Sequence, residues 1–261
     1  MRFIKLISMK NIFILASALV TIVSCEKKEV QKENLSLNLQ KGFEQTLIYS
    51  TSTDGNDNGG MNDATEVKYK VDSVDKESNY YITGEIMRMT YNQKMFGEEI
   101  HFDSKEDAGS DDEMLAEMRP MINNPFTFKI DKYGKILEKQ KFSKETAGDS
   151  DADQYNIIPL VFPKESIETG FTWKEDTSNP LTKSIMPVSS TYTYKGSKDN
   201  KVEIKLNSKM QGGAIMKDTD IEGKYIFDAK TKSLISAERN MPVQMGGGTA
   251  KFTITPKTKG S

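Results

Sequence analysis

The feature that most constrains this chain is a period-two alternation of apolar and polar residues, carried from about residue 35 to residue 256 and punctuated by turn residues. Leu35, Leu37 and Leu39 alternate with polar neighbours. Lys41-Gly42 interrupts the run, and Phe43 to Thr53 resumes it. Glu66 to Val74 alternates through Val67, Tyr69 and Val71. Asp75-Lys-Glu-Ser78 forms a turn, and Tyr80 to Tyr91 follows as a long strand. Phe126 to Asp131 and Gly134 to Glu138 flank a tight turn at Asp131-Lys-Tyr-Gly134. From Phe171 the spacing predicts strands at 171–176, 188–195, 200–209, 221–228, 232–240 and 249–256, with turns at Ser197–Asn200 and Asp228–Thr231. Successive side chains of a strand point to opposite faces, so this pattern is that of half-buried antiparallel strands joined by hairpins.

Residues 103–124 depart from the pattern. Ser110-Asp-Asp-Glu113 has the form of a capping box, in which the serine oxygen takes a backbone amide and the glutamate reaches back. Met114, Leu115, Met118 and Met121 follow at helical spacing, and Pro120, Asn123-Asn124 and Pro125 mark the stop. The spacing predicts one short helix over about 110–119, lying on the sheet. Further on, Ile157 to Phe162 is an apolar run ending at Pro163, and Glu165 to Glu168 reads as one helical turn before Gly170.

The expected class is therefore mainly β. About a dozen hairpin-linked strands in one flat sheet would be disfavoured, because sheets twist and curl. A large curved antiparallel sheet, half-barrel or sandwich-like, with one short helix is expected over a single domain, 35–261. Two half-repeats, 35–140 and 165–256, share an order of features. Gly42-Phe43 answers Gly170-Phe171, and the hairpin of Tyr69 to Tyr91 answers that of Tyr192 to Met210. Phe128-Lys-Ile-Asp131 answers Tyr225-Ile-Phe-Asp228. The second half reads as the first without the helical insert. Generic hairpins align in the same way, so duplication and coincidence both stay open.

The first 24 residues have a basic front (Arg2, Lys5, Lys10), an uncharged apolar run from Ile12 to Val23, and a small Ser24. This is the layout of a signal peptide, with an apolar run short for a membrane span. The tetrad Ile22-Val23-Ser24-Cys25 resembles a bacterial lipobox. That resemblance implies cleavage before Cys25, diacylglycerol on its sulfur and a further acyl chain such as palmitate on its amine. Two or more chains give a stable membrane anchor where one does not. Residues 25–34 are charged and weakly apolar, as expected of a flexible tether. Position 26 is Glu, not the Asp associated with inner-membrane retention, so an outer-membrane address in the cell envelope is expected, with the leaflet open.

The net charge is −2 and becomes more acidic once the basic front is removed, leaving no electrostatic footprint for nucleic acid. Cys25 is the only cysteine, so no disulfide is expected to staple the domain.

Candidates for chemistry are few. His101 is the only histidine and sits between Ile100 and Phe102, as a strand-face residue would. No phosphate-binding loop or dinucleotide fingerprint occurs, and the carboxylates lie in polar runs. Asp54, Asn56 and Asn58, with Gly59, match the opening of a calcium loop, but position twelve is Thr65 where a bidentate glutamate is needed. Asp149, Asp151 and Asp153 form a second acidic alternation. Met87, Met89, Met114, Met118 and Met121 gather in the first half. Methionine adapts to varied apolar ligands, and it also serves as plain core filler. No enzyme activity and no cofactor are expected.

Three features together resemble a known group: a Gly-Phe pair opening a strand, Phe162-Pro163 followed by Gly170-Phe-Thr-Trp173, and the strand–Asp–turn–strand unit. They resemble an uncharacterised family of Bacteroidetes lipoproteins with a domain of unknown function. Its outline is similar to periplasmic lipoprotein carriers, whose half-barrels hold acyl chains. The resemblance implies a membrane-anchored, non-enzymatic protein that binds an apolar or lipid-like ligand in a curved sheet. The alternative is a tethered structural or protein-interaction module.

Overall fold

The computed structural model describes residues 32–53, 60–95, 98–106, 118–146, 155–178, 187–212, 217–242 and 248–258. Among them are twelve strands: β1 (Glu44–Thr53), β2 (Met61–Val74), β3 (Tyr80–Met95), β4 (Glu98–Asp103), β5 (Phe126–Ile130), β6 (Ile136–Phe142), β7 (Thr172–Ser178), β8 (Pro187–Lys198), β9 (Lys201–Met210), β10 (Thr219–Asp228), β11 (Leu234–Pro242) and β12 (Thr249–Pro256). They form one open sheet in the order β6-β5-β3-β2-β1-β12-β11-β10-β9-β8-β7, with β4 paired to β3 off this path. Each pairing is antiparallel. The first half of the chain thus runs outward from the centre to one edge. The second half starts at the far edge and runs back, so β1 and β12 meet in the middle.

Alternation in sequence becomes alternation in burial. On β9, Val202, Ile204, Leu206 and Ser208 are buried while their neighbours face out. One face of the sheet carries the core. That face is concave, as a single pair of hydrogen bonds shows. Leu37 N–H donates to Lys132 O in the β5–β6 turn, and the next residue, Asn38, donates to Thr231 O in the β10–β11 turn. Strands β5 and β11 are five spacings apart in the sheet, about 24 Å if it were flat. Consecutive residues are only about 3.8 Å apart, so the sheet must curl to bring both turns to one segment.

Two stretches outside the strands fill this closed end. The segment Leu35–Leu39 buries all three leucines. Its alternation predicted a strand, yet its amides go to two different hairpin turns, so it is a strap across the end of the trough and joins no ladder. Residues 155–162 of the β6–β7 connection cross the concave face and bury Tyr155, Ile157, Ile158, Leu160 and Phe162. Both open edges of the sheet bond to it: Gln140 Nε2 donates to Tyr155 O (3.2 Å) and Trp173 Nε1 to Val161 O (3.0 Å).

The helical turn expected at Glu165–Glu168 does not form. Ile167 spends both its amide and its carbonyl on Glu33 (2.9 and 2.8 Å), a β-bridge that leaves nothing for a helix. Most of the helix expected at 110–119 lies outside the described residues. Its described end, from Met118, leads into a 3₁₀ turn, Arg119–Met121, with Pro120 inside it.

The two halves share several backbone bonds. Gly42 and Gly170 both have positive φ (84° and 93°). Gly42 N–H donates to Val71 O and Val71 N–H to Phe43 O; Gly170 N–H donates to Tyr194 O and Tyr194 N–H to Phe171 O. Val71 pairs with Ile82 and Tyr194 with Ile204, each next to a bulge of one residue. Ile82 then pairs with Phe128, and Ile204 with Tyr225. In the turns that follow, the Asp131 carboxylate accepts the amides of Tyr133 and Lys135, and Asp228 accepts those of Lys230 and Thr231. Strand β4 and residues to 124 fall between β3 and β5 in the chain, where the second half has the shorter β9–β10 connection, 211–218.

Candidate functional site

The concave face is laid out in transverse rows, because direct cross-strand partners share a face. One row runs Met89, Thr65, Tyr49, Ile254, Ala237, Tyr225, Ile204, Tyr194. Every member is buried. Its polar atoms are satisfied internally: Tyr49 Oη donates to Asn156 O (2.8 Å), so the 2.7 Å contact with Tyr69 has Tyr69 as donor. Tyr155 Oη meets Thr65 Oγ1 at 3.3 Å. Burial raises both Tyr49 and Tyr69 well above the ordinary phenol range, so they stay neutral hydrogen-bonding groups. Tyr49→Phe would leave the Tyr69 hydroxyl without its acceptor. A loss of about 1–3 kcal/mol in denaturant stability is expected, and an unchanged midpoint would refute this bonding chain.

The next row toward the other end of the trough has a different character. Tyr91, Asp63, Thr51, Phe252, Arg239 and Gly223 are register partners in turn, and the row ends in Leu206, Tyr192 and Trp173. Its central members, from Tyr91 to Gly223, are only half-buried. Two charges stand among these aromatic and aliphatic groups. Burial raises the Asp63 carboxyl above the usual range against a hydrogen bond from Thr51. Arg239 lies 5.5 Å from the ring centres of both Tyr225 and Phe252. Its Nε donates to Tyr225 Oη (2.6 Å), and one Nη reaches Pro159 O at 3.5 Å. No carboxylate among the described residues forms an ion pair with it; Glu175 on β7 acts on it at longer range. Burial raises the Glu175 carboxyl in turn. Trp173 stacks on Tyr192 (5.3 Å) at the end of the same row.

The residues singled out in the sequence fall elsewhere. Met89 and Met121 are buried in the core and Met118 packs against it. Met87 is half-buried on β3, at a bulge between the pairs formed by Ile86 and Arg88. Met114, the loop of Asp54, Asn56 and Asn58, the acidic run of Asp149, Asp151 and Asp153, and Cys25 lie outside the described residues. His101 is an exposed member of β4 whose Nδ1 contacts Asn92 Oδ1. The buried acid near it, Asp103, is held at a pKa of about 2, chiefly by hydrogen bonds from Arg88, and ties β4 to β3.

Arg239 escaped the sequence pattern for a physical reason. Phe227 pairs with Leu234 but Ile226 pairs with Ser236, so Ile235 is an unmatched extra residue. The bulge flips the phase of β11 and turns Ala237 and Arg239 inward. Strict alternation from Leu234 would put both outside.

No curated protein matches the chain. Among solved structures, one described as a "putative lipoprotein" from Parabacteroides distasonis aligns with 86% of this chain and 100% of its own, at 10% identity and a TM-score of 0.32. Residues 77–144, which hold β3 to β6, match the model of a family of unknown function, DUF6263, and so bring no activity with them, as the resemblance in the sequence implies.

Proposed function

We propose that this protein is a non-enzymatic lipoprotein of the bacterial envelope that binds an apolar or lipid-like ligand in the trough of its curved sheet. The observation that carries the reading is the half-buried row. Tyr91, Thr51, Phe252 and Arg239 sit on the core-forming face, yet they are only half-buried where the row beside them is fully buried. Concave, mostly apolar surfaces with a few placed polar groups are the usual form of small-molecule sites. The signal-like residues 1–24 and the lipobox-like tetrad support anchoring at Cys25, and Glu26 supports an outer-membrane address.

The decisive test is lipid mass spectrometry on the full chain purified from a bacterial host, against a trough-blocked variant, Thr51→Trp. The reading expects a bound apolar species in the wild type that the variant loses while keeping its thermal melt. An empty wild-type chain in repeated preparations would overturn it in favour of a tethered interaction module. For the anchor, Cys25→Ala is expected to shift the protein from the membrane fraction to the soluble fraction or to leave it unprocessed. Normal processing with continued membrane pelleting would refute lipidation at Cys25.

A further inference from the structure

The two halves of the sheet solve the same packing problem differently at one place, and the difference has chemical content. Gly84 pairs with Phe126, and Phe126 with Phe142. Strand for strand, these correspond to Leu206, Gly223 and Arg239, where Leu206 pairs with Gly223 and Gly223 with Arg239. In the first half the position is closed: the rings of Phe126 and Phe142 meet edge to face with centres 5.4 Å apart, over a fully buried Phe126. In the second half the first ring is replaced by a glycine and the second by a guanidinium. One change removes a side chain and the other brings a permanent positive charge onto the concave face.

From this replacement we infer that Arg239 is the head-group anchor of a site for an amphiphile with an anionic head, carboxylate or phosphate, and an apolar tail. The inference rests on the ligand-binding reading above and names its ligand class.

Arg239 is prepared for such a partner. Its aliphatic stem lies against Gly223, where an added Cβ would sit tightly at 3.2 Å from Arg239 Cγ and would clash with Glu238 O at 2.7 Å. Tyr225 Oη takes Nε, and the rings of Tyr225 and Phe252 flank the charge. That leaves the outer edge of the fork, where among the described residues only the 3.5 Å contact to Pro159 O is made. A half-buried cation with no ion-pair partner among the described residues, and only Glu175 at longer range, is costly unless something neutralises it. The guanidinium fork matches the paired oxygens of a carboxylate or phosphate.

The surroundings argue for a tail as well as a head. Phe252 and Thr51 flank Arg239 on one side; Leu206, Tyr192 and Trp173 continue the row on the other. The acids that face this surface, Asp63 and Glu175, have their carboxyls raised by burial, and neither forms an ion pair with the guanidinium among the described residues.

The test uses the full chain in a non-ionic detergent, with Trp173 as reporter; it is the only tryptophan and lies in the same row. Dodecanoate, dodecyl phosphate, dodecanol and acetate are titrated into wild type, Arg239→Gln and Arg239→Lys. The two anionic amphiphiles are expected to bind wild type on the order of tenfold tighter than dodecanol. Arg239→Gln should bring them level with dodecanol, and Arg239→Lys should keep part of the preference. The ratio between the two anionic heads tells carboxylate from phosphate. Equal binding of all three dodecyl compounds to wild type would overturn the anchor and leave the apolar trough standing. Binding of none of them would remove the trough itself, and acetate binding as tight as dodecanoate would overturn the amphiphile class. Should Arg239→Gln unfold, the wild-type preference must still weaken with added salt, and a salt-independent preference would refute the ionic contact.

Discussion

Phe126→Ala is expected to cost about 3–5 kcal/mol of unfolding free energy, among the largest effects of any single change in this domain. The ring is fully buried. It stacks on Phe128 at 6.1 Å and meets Phe142 at 5.4 Å and Tyr69 at 6.5 Å edge-on. It also covers its register partner Gly84, where an added Cβ would lie 2.3 Å from Phe126 Cζ. Gly84→Ala alone should therefore cost about 1–3 kcal/mol by overpacking. In the Phe126→Ala background the same change has a space to fill, so its cost should vanish or reverse. Urea denaturation of the four proteins closes this double-mutant cycle. An additive result, or a Phe126→Ala penalty below about 1 kcal/mol, would mean that the ring does not seal this part of the core.

The second large effect is expected where the chain enters the domain. Glu33 is bridged to Ile167 through the backbone. Its carboxylate accepts from Lys232 Nζ at 2.9 Å and from the hydroxyls of Tyr194 and Ser197. The Lys232 ammonium also donates to Ala229 O, and its side chain is 7% exposed. Replacing Lys232 by methionine strips this partly buried acid of its counter-ion. The loss should be about 2–3 kcal/mol, below the figure for fully buried pairs because Glu33 keeps solvent and two hydroxyl donors.

The pH dependence has a definite sign. Burial alone would raise the Glu33 carboxyl, but hydrogen bonds from Ser197, Tyr194 and Lys232 outweigh it and leave the group below its ordinary value of 4.5. A carboxyl lowered by folding contributes stability that is whole above the unfolded value and drains away as pH falls through the folded one. Glu33→Gln should accordingly be less stable than wild type at neutral pH. The gap should narrow below about pH 4.5. Parallel denaturation curves at neutral and acid pH with a constant gap would show that the clasp carries no ionic contribution.

Much of this architecture is written locally in the chain. The Asp131 and Asp228 turns were legible because an aspartate that takes two following amides is a local device. Strands β1 to β3 and β5 to β12 were legible because alternation sets burial wherever one face is covered. The pairing of Gly42-Phe43 with Gly170-Phe171 was legible because a positive-φ glycine before an inward aromatic is a property of two adjacent residues.

What the chain could not announce depends on contacts between distant residues. Leu35 to Leu39 has the pattern of a strand, and only the curl that brings Lys132 and Thr231 together turns it into a strap. Glu165 to Glu168 has the composition of a helical turn, and only Glu33, far away in sequence, claims Ile167 for a bridge. The methionines at 89, 118 and 121 fit both a ligand surface and plain core filler by residue type alone, and their neighbours are the core. Arg239 is the sharpest case. Its inward aim comes from one extra residue at Ile235, and that bulge exists only because Phe227 and Ile226 choose Leu234 and Ser236 across the sheet. Alternation records which face a residue would take on an ideal strand. Register decides which face it does take, and register is set by the partner strand.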